Sequence, residues 1–284
     1  MFTFLNGKPV SEIPSIHRGL SYGDGIFETM RLERGSVALW PYHLARLERG
    51  LKRLYILEDI QVIEKEFFDF LDKLNRSGID SGVIKLRVIR GGETRGYAPE
   101  ESVENWRIFE VFEGSVPWGQ SEDAIISRHK LPHHPELAGI KHLNRLDQVL
   151  AAQEITKSSA TTALLLNTDG NLVCALDSNI YIEESGQLIT PPVNTSGVAG
   201  VFRSYMMDKI CSDLNMSLIE REISVQQLIT ADGVWLSNAV KGLRPVSCVE
   251  RAKEHTKWQK PYSPQMSKLQ SFSAKSLGVV GFDS

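Results

Sequence analysis

The sequence predicts an α+β protein of two domains with a cleft between them. Its first half alternates short β-like runs with helices, and a segment rich in glycine, proline and serine (GSVPWGQSEDA, 114–124) separates that half from the rest. With 284 residues, of which 42% are hydrophobic, the chain is long enough to bury two cores. We therefore expect a small α/β domain at 1–114, a linker at 115–124 and a larger domain at 125–284.

Residue spacing predicts the elements of the first domain. Two runs, GVIKLRVIR (82–90) and WRIFEVFEG (106–114), are rich in β-branched and aromatic residues, which is typical of strands. The stretch PYHLARLERGLKRL (41–54) repeats leucine at the spacing of one helix face and predicts a helix.

The second domain is predicted in the same way. ALLLN (163–167) and NIYIEE (179–184) indicate strands, and helices are expected after Gly200 and near Ile223. From about residue 250 the chain is polar and irregular, so we expect a loosely packed tail there.

Composition and charge exclude several classes of partner. A net charge of -3 gives no general attraction to nucleic acid or to an anionic membrane. No apolar stretch has the length of a membrane span, and the N-terminal residues lack the pattern of a signal peptide. The three cysteines are too few and too widely spaced for a disulfide framework, which favours the cytoplasm. We expect a small-molecule substrate.

A lysine in the stretch AGIKHLNRLDQVLA is a candidate catalytic residue. Lys141 lies just before a predicted helix in which Leu146, Val149 and Leu150 repeat at helical spacing, and Asn144 is the expected N-cap of that helix. Most lysines are solvated surface charges. The alternative is an amine directed into a pocket.

Three other features suit an anionic ligand. TSGVAGVFRSYMMDKI (195–210) places glycines before a helix, where backbone N–H groups favour an anion; a capped tight turn is the alternative. The guanidinium of Arg46 would suit a phosphate, although a surface cation is the simpler interpretation. The loop RGGETRGY carries Arg90 and Arg95 and could hold a carboxylate, or could be a solvated hairpin loop.

Together, a phosphate-binding loop, a lysine and an arginine suit pyridoxal 5'-phosphate, whose aldehyde forms a Schiff base with lysine. Several stretches carry a resemblance: YGDGIFETMR (22–31), HLARL (43–47), GIKHLNRLDQVLA (139–151), SNIYI (178–182), TPPVNTSGVAGVFR (190–203) and SNAVKGLRPV (237–246). In this order they resemble the class IV, fold-type IV pyridoxal-phosphate enzymes, closest to the aminodeoxychorismate lyases. The resemblance extends from about residue 4 to residue 247. It implies the two-domain fold of that family, with the cofactor in the cleft between domains.

The resemblance also implies roles for individual residues. Lys141 would be the Schiff-base lysine, and the other cofactor contacts would be Arg46 on the phosphate, the amides of Val198 and Ala199, and Ser237 or Asn238. The substrate contacts would be Phe27 beside the cofactor and, across the interface of a homodimer, Arg95 and Tyr97 on a carboxylate.

One position departs from the family pattern. The family has a glutamate five residues before the asparagine of NIY, where it pairs with the pyridine nitrogen of the cofactor. Counting back from Asn179 gives Cys174 at that position, and a thiol is a weak partner for a protonated nitrogen. Asp177 is three residues further on, so strand alternation directs it to the opposite face unless the strand is bulged.

The resemblance implies an aminodeoxychorismate lyase that eliminates pyruvate to give 4-aminobenzoate for folate biosynthesis. Formation of the aromatic ring helps this reaction, so it tolerates a weaker electron sink than transamination does. A class IV aminotransferase of the D-amino-acid or branched-chain type is an alternative. A cofactor-binding homologue of low activity is another. We expect no metal site, because His129, His133 and His134 lie in a proline-rich stretch without a well-placed carboxylate or thiol.

Overall fold

The computed structural model describes residues 2–15, 17–92, 95–100, 103–251, 256–259 and 263–279. The chain forms two compact units: Met1–Val116 with Ile140–Asn144, and Pro117–Gly139 with Arg145–Ser284. The short piece Ile140–Asn144 contains Lys141. The lysine therefore belongs to the first unit, and its assignment to the domain at 125–284 is corrected.

The first unit contains one sheet and three helices. Its elements are β1 (Phe2–Leu5), β2 (Lys8–Pro9), α1 (Arg18–Tyr22), β3 (Gly25–Leu32), α2 (Trp40–Arg53), α3 (Ile60–Arg76), β4 (Gly82–Ile89) and β5 (Trp106–Glu113). The strands pair antiparallel in the order β2-β1-β5-β4-β3, so β3 is an edge strand. The predicted strands at 82–90 and 106–114 and the predicted helix at 41–54 are confirmed.

Alternation along β3 gives the sheet one buried face and one partly open face. Ile26, Glu28 and Met30 are buried, whereas Phe27 and Thr29 between them are partly exposed. The buried aliphatic and aromatic residues of the sheet pack with those of α2 and α3 in one core. Successive residues of a strand point to opposite faces, so β3 serves the core and the open face at once.

The second unit contains a larger, mixed sheet. Its elements are β6 (Glu122–Leu131), α4 (Leu146–Ile155), β7 (Thr162–Asn167), β8 (Leu172–Ala175), β9 (Asn179–Glu184), β10 (Gln187–Thr190), α5 (Val201–Tyr205), a π-helical turn (Met206–Ile210), α6 (Cys211–Asp213), β11 (Leu218–Glu220), α7 (Val225–Thr230), β12 (Gly233–Asn238), β13 (Gly242–Arg251), β14 (Thr256–Gln259) and α8 (Pro264–Ser276). The strand order is β11-β10-β9-β12-β13-β6-β7-β8, and β14 pairs with β13. The predicted strands at 163–167 and 179–184 and both predicted helices are confirmed. Within the described ranges, no helix combines the length and the apolar character that a bilayer crossing needs.

Helix α4 differs from its prediction in two respects. Its N-cap position is Arg145, not Asn144, and no side chain caps it; the Asn144 amide group donates instead to the carbonyl of Gly23 (3.1 Å). Leu146, Val149 and Leu150 are 76%, 51% and 55% exposed. Their spacing identified an apolar face correctly, but that face is not part of the core of this chain.

The prediction of a loosely packed tail is also corrected. Helix α8 starts at the N-cap Ser263, whose hydroxyl accepts from the Met266 amide (3.4 Å), and it buries Met266 and Leu269 completely. The buried side-chain amide of Gln270 donates to the carbonyl oxygens of Gly119 (2.8 Å) and Leu243 (2.7 Å). This helix was not predicted from the sequence because its buried face includes glutamine and serine, which interrupt the apolar periodicity.

We predict that Leu269→Ala lowers the free energy of unfolding by about 2–5 kcal/mol, the usual effect of truncating a buried leucine. Lys268 is exposed on the same helix, so Lys268→Ala is the matched control, with an expected change within about 0.5 kcal/mol. Chemical denaturation of both variants measures the difference. Equal stability of the two would contradict the packing of α8.

Candidate active site

Lys141 is held against the edge of the first sheet. The Phe27 amide donates to the Lys141 carbonyl, and the Leu143 amide donates to the Gly25 carbonyl, both at 2.9 Å. Residues 141–143 thus add a short strand-like segment to the free edge of β3, where His142 pairs with Ile26. The Lys141 amine lies 4.4 Å from the centre of the Phe27 ring, within cation–π distance. Lys141 is therefore not a simple surface charge, and the assignment of Phe27 to the substrate side of the cofactor stays a prediction.

Arg46 is part of a buried group of three charged or polar side chains. The Glu28 carboxylate accepts from Arg46 Nε (2.8 Å) and Arg46 Nη2, and lies 2.6 Å from His43 Nδ1. All three residues are buried. Two nitrogens of the guanidinium bind one carboxylate, so this pairing fixes the orientation of Arg46. The sequence analysis missed Glu28, although HLARL and GIFET were both among the stretches quoted for the resemblance.

Electrostatics fix the protonation of this group. Burial by itself raises the pKa of Glu28, but the charge of Arg46 and the hydrogen bonds from Arg46 and His43 outweigh it and bring the pKa to about 2. Burial lowers the pKa of His43 despite the neighbouring carboxylate, so the imidazole is neutral. We infer that Nδ1 carries the proton and donates it to Glu28. The buried Nε2 has no hydrogen-bond partner in the described part of the chain.

A second lysine lies on the same ring as Lys141. Lys85 on β4 faces Thr29, and its amine is 5.6 Å from the centre of the Phe27 ring. Partial burial and the charge of Arg87 lower the pKa of Lys85, and Glu110 opposes them. The sequence analysis missed Lys85. Its signal was available, because alternation within IKLRV places Lys85 and Arg87 on the face opposite the apolar residues.

In the second unit, glycines shape the loop that the sequence analysis assigned to an anion. Gly197 has a positive φ of 85°, and a Cβ there would lie 2.9 Å from Val173 Cγ1. A Cβ on Gly200 would overlap the side-chain oxygen of Asn179, whose amide group donates to the Val198 carbonyl (2.9 Å). Only glycine fits at these two positions, and Asn179 orders the loop between them.

The structure shows where the amides of this loop lie relative to the helix that follows. The Ala199 amide donates to the Gly139 carbonyl (3.0 Å), so it is used within the fold. Helix α5 begins at Val201, after the N-cap Gly200. The first-turn amides of the helix are therefore those of Val201 and Phe202, and Val198 and Ala199 lie in the loop before it. The assignment of the Val198 and Ala199 amides to the phosphate stays a prediction.

Cys174 lies beside a β-bulge. In the pairing of β7 with β8, Cys174 faces Leu165 and Leu172 faces Leu166, so Val173 is the extra residue. Val173 and Cys174 consequently pack in the same cluster, and Val173 is the residue that contacts Gly197. Burial raises the pKa of Cys174 to about 12, opposed by the charge of Arg145, so the thiol is neutral.

Asp177 is paired with cations of this chain. It follows the end of β8, and its carboxylate pairs with Lys241 (3.3 Å) and lies 3.5 Å from Arg244. Burial raises the pKa of Asp177, but Arg244 and Lys241 outweigh it, and the net shift is downward. The bulge precedes Cys174, and Asp177 pairs with one partly exposed cation, Lys241, and one buried cation, Arg244.

The predicted pair Ser237 and Asn238 separates into two environments. Ser237 is 1% exposed, and its hydroxyl lies 2.9 Å from the Tyr181 hydroxyl inside the sheet. Asn238 is at the end of β12, where its side-chain oxygen accepts from the amides of Val240 (3.0 Å) and Lys241 (2.7 Å). Of the two, Asn238 is the one that reaches the surface.

The remaining predicted residues lie at the surface. Arg95 and Tyr97 are both exposed in an irregular loop of the first unit, and the rings of Tyr97 and Tyr22 are 5.4 Å apart. His129 lies in β6 and not in a loop, where it pairs with Asp147 (2.8 Å). Within the described ranges, no group of three or more potential ligands could hold a metal ion.

Comparison with known proteins identifies the relatives of this chain. The family model described as amino-transferase class IV matches residues 25–249. An aminodeoxychorismate lyase of Vibrio harveyi is 30% identical over 86% of this chain and 90% of its own length. A putative branched-chain-amino-acid aminotransferase of Methanocaldococcus jannaschii is also 30% identical, over 87% of each protein. The crystal structure of 4-amino-4-deoxychorismate lyase from Pseudomonas aeruginosa superimposes with a TM-score of 0.87 at 32% identity, over 99% of this chain and 100% of that one. The resemblance read from the sequence is confirmed.

We predict that Glu28 makes stability dependent on acid pH. The pKa of Glu28 is about 2 in the folded protein and 4.5 for an unperturbed glutamate, which stands for the unfolded chain. The contribution of Glu28 to the free energy of unfolding is therefore complete above about pH 4.5 and is lost as the pH falls toward 2. The shift corresponds to on the order of 3 kcal/mol. Glu28→Gln should remove this pH dependence, which denaturation at several values between pH 7 and pH 3 would measure.

The control is Glu48→Gln, because Glu48 is exposed on α2. It should leave the pH dependence of the parent unchanged. If Glu28→Gln and Glu48→Gln lose stability in parallel with the parent as the pH falls, the buried ion pair is not the source of the effect.

Proposed function

Because the chain belongs to the class IV aminotransferase family, we propose that it is a pyridoxal-phosphate lyase that converts 4-amino-4-deoxychorismate to 4-aminobenzoate and pyruvate. The observation that carries the proposal is the position of the Lys141 amine over Phe27, fixed by backbone hydrogen bonds to β3. The similarity to the lyases of V. harveyi and P. aeruginosa supports this reaction.

The residues present fit the cofactor. Lys141 would hold its aldehyde, and Arg46, oriented by Glu28, would contribute to binding its phosphate. Gly197 and Gly200 leave room that a Cβ would fill. The amides of Val198 and Ala199 remain the proposed phosphate contacts, and those of Val201 and Phe202 would be further donors at the start of α5. Asn238 and the thiol of Cys174 remain proposed contacts. When bound, the cofactor supplies an electron sink for the carbon that bears the substrate's amine.

Lys141 would also move the proton. Its amine would take the proton from the ring carbon that carries the amine, the bond between the ring and the enolpyruvyl oxygen would break, and the enol would gain a proton to become pyruvate. Loss of that proton and of the enolpyruvyl group makes the ring aromatic. Phe27, which lies against the Lys141 amine, would keep that amine in place and exclude water from one side.

Lys85 would recognise the substrate. The substrate has two carboxylates, one on the ring and one on the enolpyruvyl group. A cationic amine beside Phe27 is suited to one of them, and Arg95 with Tyr97 would take the other. The lowered pKa of Lys85 means that its surroundings disfavour the charged amine. A substrate carboxylate beside it would stabilise that charge.

The neutral thiol of Cys174 favours a lyase over an aminotransferase. A thiol with a pKa of about 12 gives no negative charge to keep a ring nitrogen protonated. Transamination depends on that proton more than a reaction driven by aromatisation does. The similarity to the putative branched-chain aminotransferase keeps an aminotransferase as the second candidate, and a binding protein of low activity is the third.

We propose in addition that the protein is a cytoplasmic homodimer acting in folate biosynthesis. The exposed apolar face of α4, formed by Leu146, Val149 and Leu150, supports a second copy of the chain as its partner, because water is a poor environment for three adjacent aliphatic side chains.

We predict that the purified parent has the visible absorbance of lysine-bound cofactor and releases pyruvate and 4-aminobenzoate from 4-amino-4-deoxychorismate. Lys141→Ala should abolish the absorbance and lower pyruvate release by roughly a thousandfold, within the range for loss of an acid–base group. Lys85→Ala is the matched control: it removes the other amine on Phe27 and should retain the absorbance while raising KM. An unchanged spectrum in Lys141→Ala would refute the assignment. Keto-acid formation from amino donors without pyruvate release would favour the aminotransferase.

We predict that Cys174→Glu increases transamination more than lyase activity. At the family position the new carboxylate would pair with the ring nitrogen, so its charge would be compensated. Cys211→Glu places a carboxylate at another buried cysteine of the same unit and should only destabilise the protein. Cofactor spectra, melting temperature and both activities measure the difference. If the two variants behave alike, Cys174 does not face the ring nitrogen.

A further inference from the structure

Arg18 is a charged residue buried without a place in the chemistry described above. It is the first residue of α1 and is only 4% exposed. Its Nε donates to the Asp24 carboxylate (2.8 Å), and its guanidinium lies 5.0 Å from the centre of the Tyr22 ring. An arginine buried in this way requires partners for most of its donors.

Two of those partners are consecutive carbonyl groups in the loop that carries Arg95 and Tyr97. Arg18 Nη1 donates to the Gly96 carbonyl (3.3 Å) and Nη2 donates to the Tyr97 carbonyl (2.8 Å). The Tyr97 side chain is 87% exposed, so packing of its ring does little to hold the loop. One guanidinium thus binds the backbone carbonyls of Gly96 and Tyr97, next to the side chains that the proposed function assigns to the substrate. We call these two hydrogen bonds the grip of Arg18 on the loop.

Asp24 connects this grip to the sheet. The oxygen that accepts from Arg18 also accepts from Arg90 Nε (2.9 Å). Arg90 in turn donates to the carbonyls of Leu54 (2.5 Å) and Tyr55 (2.9 Å) at the end of α2. Arg90 directly follows β4 and begins the loop. The Asp24 carboxylate therefore holds the start of the loop through Arg90 and residues 96–97 through Arg18.

From this arrangement we propose that Arg18 is a positioning residue that holds the loop of residues 95–97 in place for the substrate's carboxylate. That this loop binds the substrate's carboxylate rests on the proposed function. That Arg18 holds the loop rests only on its hydrogen bonds to Gly96 and Tyr97. Arg18 touches neither reacting atoms nor cofactor in this role. It acts through backbone carbonyls, so the side chains of Arg95 and Tyr97 remain available to a ligand.

Lysine cannot reproduce this geometry. It keeps the positive charge beside Asp24 but presents a single nitrogen where arginine presents a planar fork. Arg18→Lys therefore removes the grip and preserves the ion pair. The matched control is Arg31→Lys, since Arg31 in the same unit also pairs with a carboxylate, Glu33 (2.8 Å), and with a carbonyl, that of Val116 (2.8 Å).

Limited trypsinolysis measures the loop without reference to activity, because the bond after Arg95 is itself a trypsin site. In Arg18→Lys, cleavage at Arg95 should accelerate roughly tenfold, the equivalent of losing one hydrogen bond to a charged group, while Arg31→Lys cleaves there as the parent does. Asp24→Asn removes the shared carboxylate and should act in the same direction. It replaces Arg18→Lys if that variant does not fold.

Kinetics with 4-amino-4-deoxychorismate test the functional part. Arg18→Lys should raise KM roughly tenfold and leave kcat within about threefold, because the loop orients bound substrate and takes no part in proton transfer. Unchanged cleavage at Arg95 overturns the proposal whatever the activity. Faster cleavage with an unchanged KM overturns the substrate role of the loop. Faster cleavage in a protein whose parent lacks lyase activity supports the grip and rejects the proposed reaction.

Discussion

The pairing of residues 141–143 with the free edge of β3 is the constraint on which the first half of the site depends. Two backbone hydrogen bonds place the Lys141 amine against the Phe27 ring. Strand alternation then directs the next residue, Glu28, into the core, where its carboxylate holds Arg46. The edge strand β3 therefore positions the Lys141 amine on its open face, through Phe27, and Arg46 on its buried face, through Glu28. A shift of the strand by one residue would turn Phe27 into the core and Glu28 to the open face.

The buried carboxylate of this strand is tolerated because it has specific partners. Glu28 is fully buried, yet Arg46 and His43 stabilise its ionised form enough to lower its pKa to about 2. For Lys85, the effect of Glu110 is outweighed by burial and by the charge of Arg87, and its pKa is lowered. The contrast separates an internal ion pair, which orients the arginine proposed to bind the phosphate, from a cation that would gain from an incoming carboxylate.

The second unit positions its groups through backbone geometry. The bulge at Val173 directs two consecutive side chains to one face, so that Val173 contacts Gly197 while Cys174 packs beside it. Gly200 lies against Asn179, which in turn holds the carbonyl of Val198. These contacts order the start of α5 without any ionised side chain, which is suited to binding an anion through amides.

The sequence by itself determined the strands with strong alternation and helix α2, and it singled out Lys141, Arg46 and Phe27 as candidate site residues, because periodicity and short motifs are local properties of the chain. Only the tertiary structure decided what depends on distant partners. Glu28 meets Arg46 across 18 residues, and Arg18 meets Tyr97 across 79. The bulge in β8, the exposure of the apolar face of α4 and the burial of α8 likewise follow from packing. A local pattern states that a face is apolar, but only the surrounding fold determines whether anything covers it.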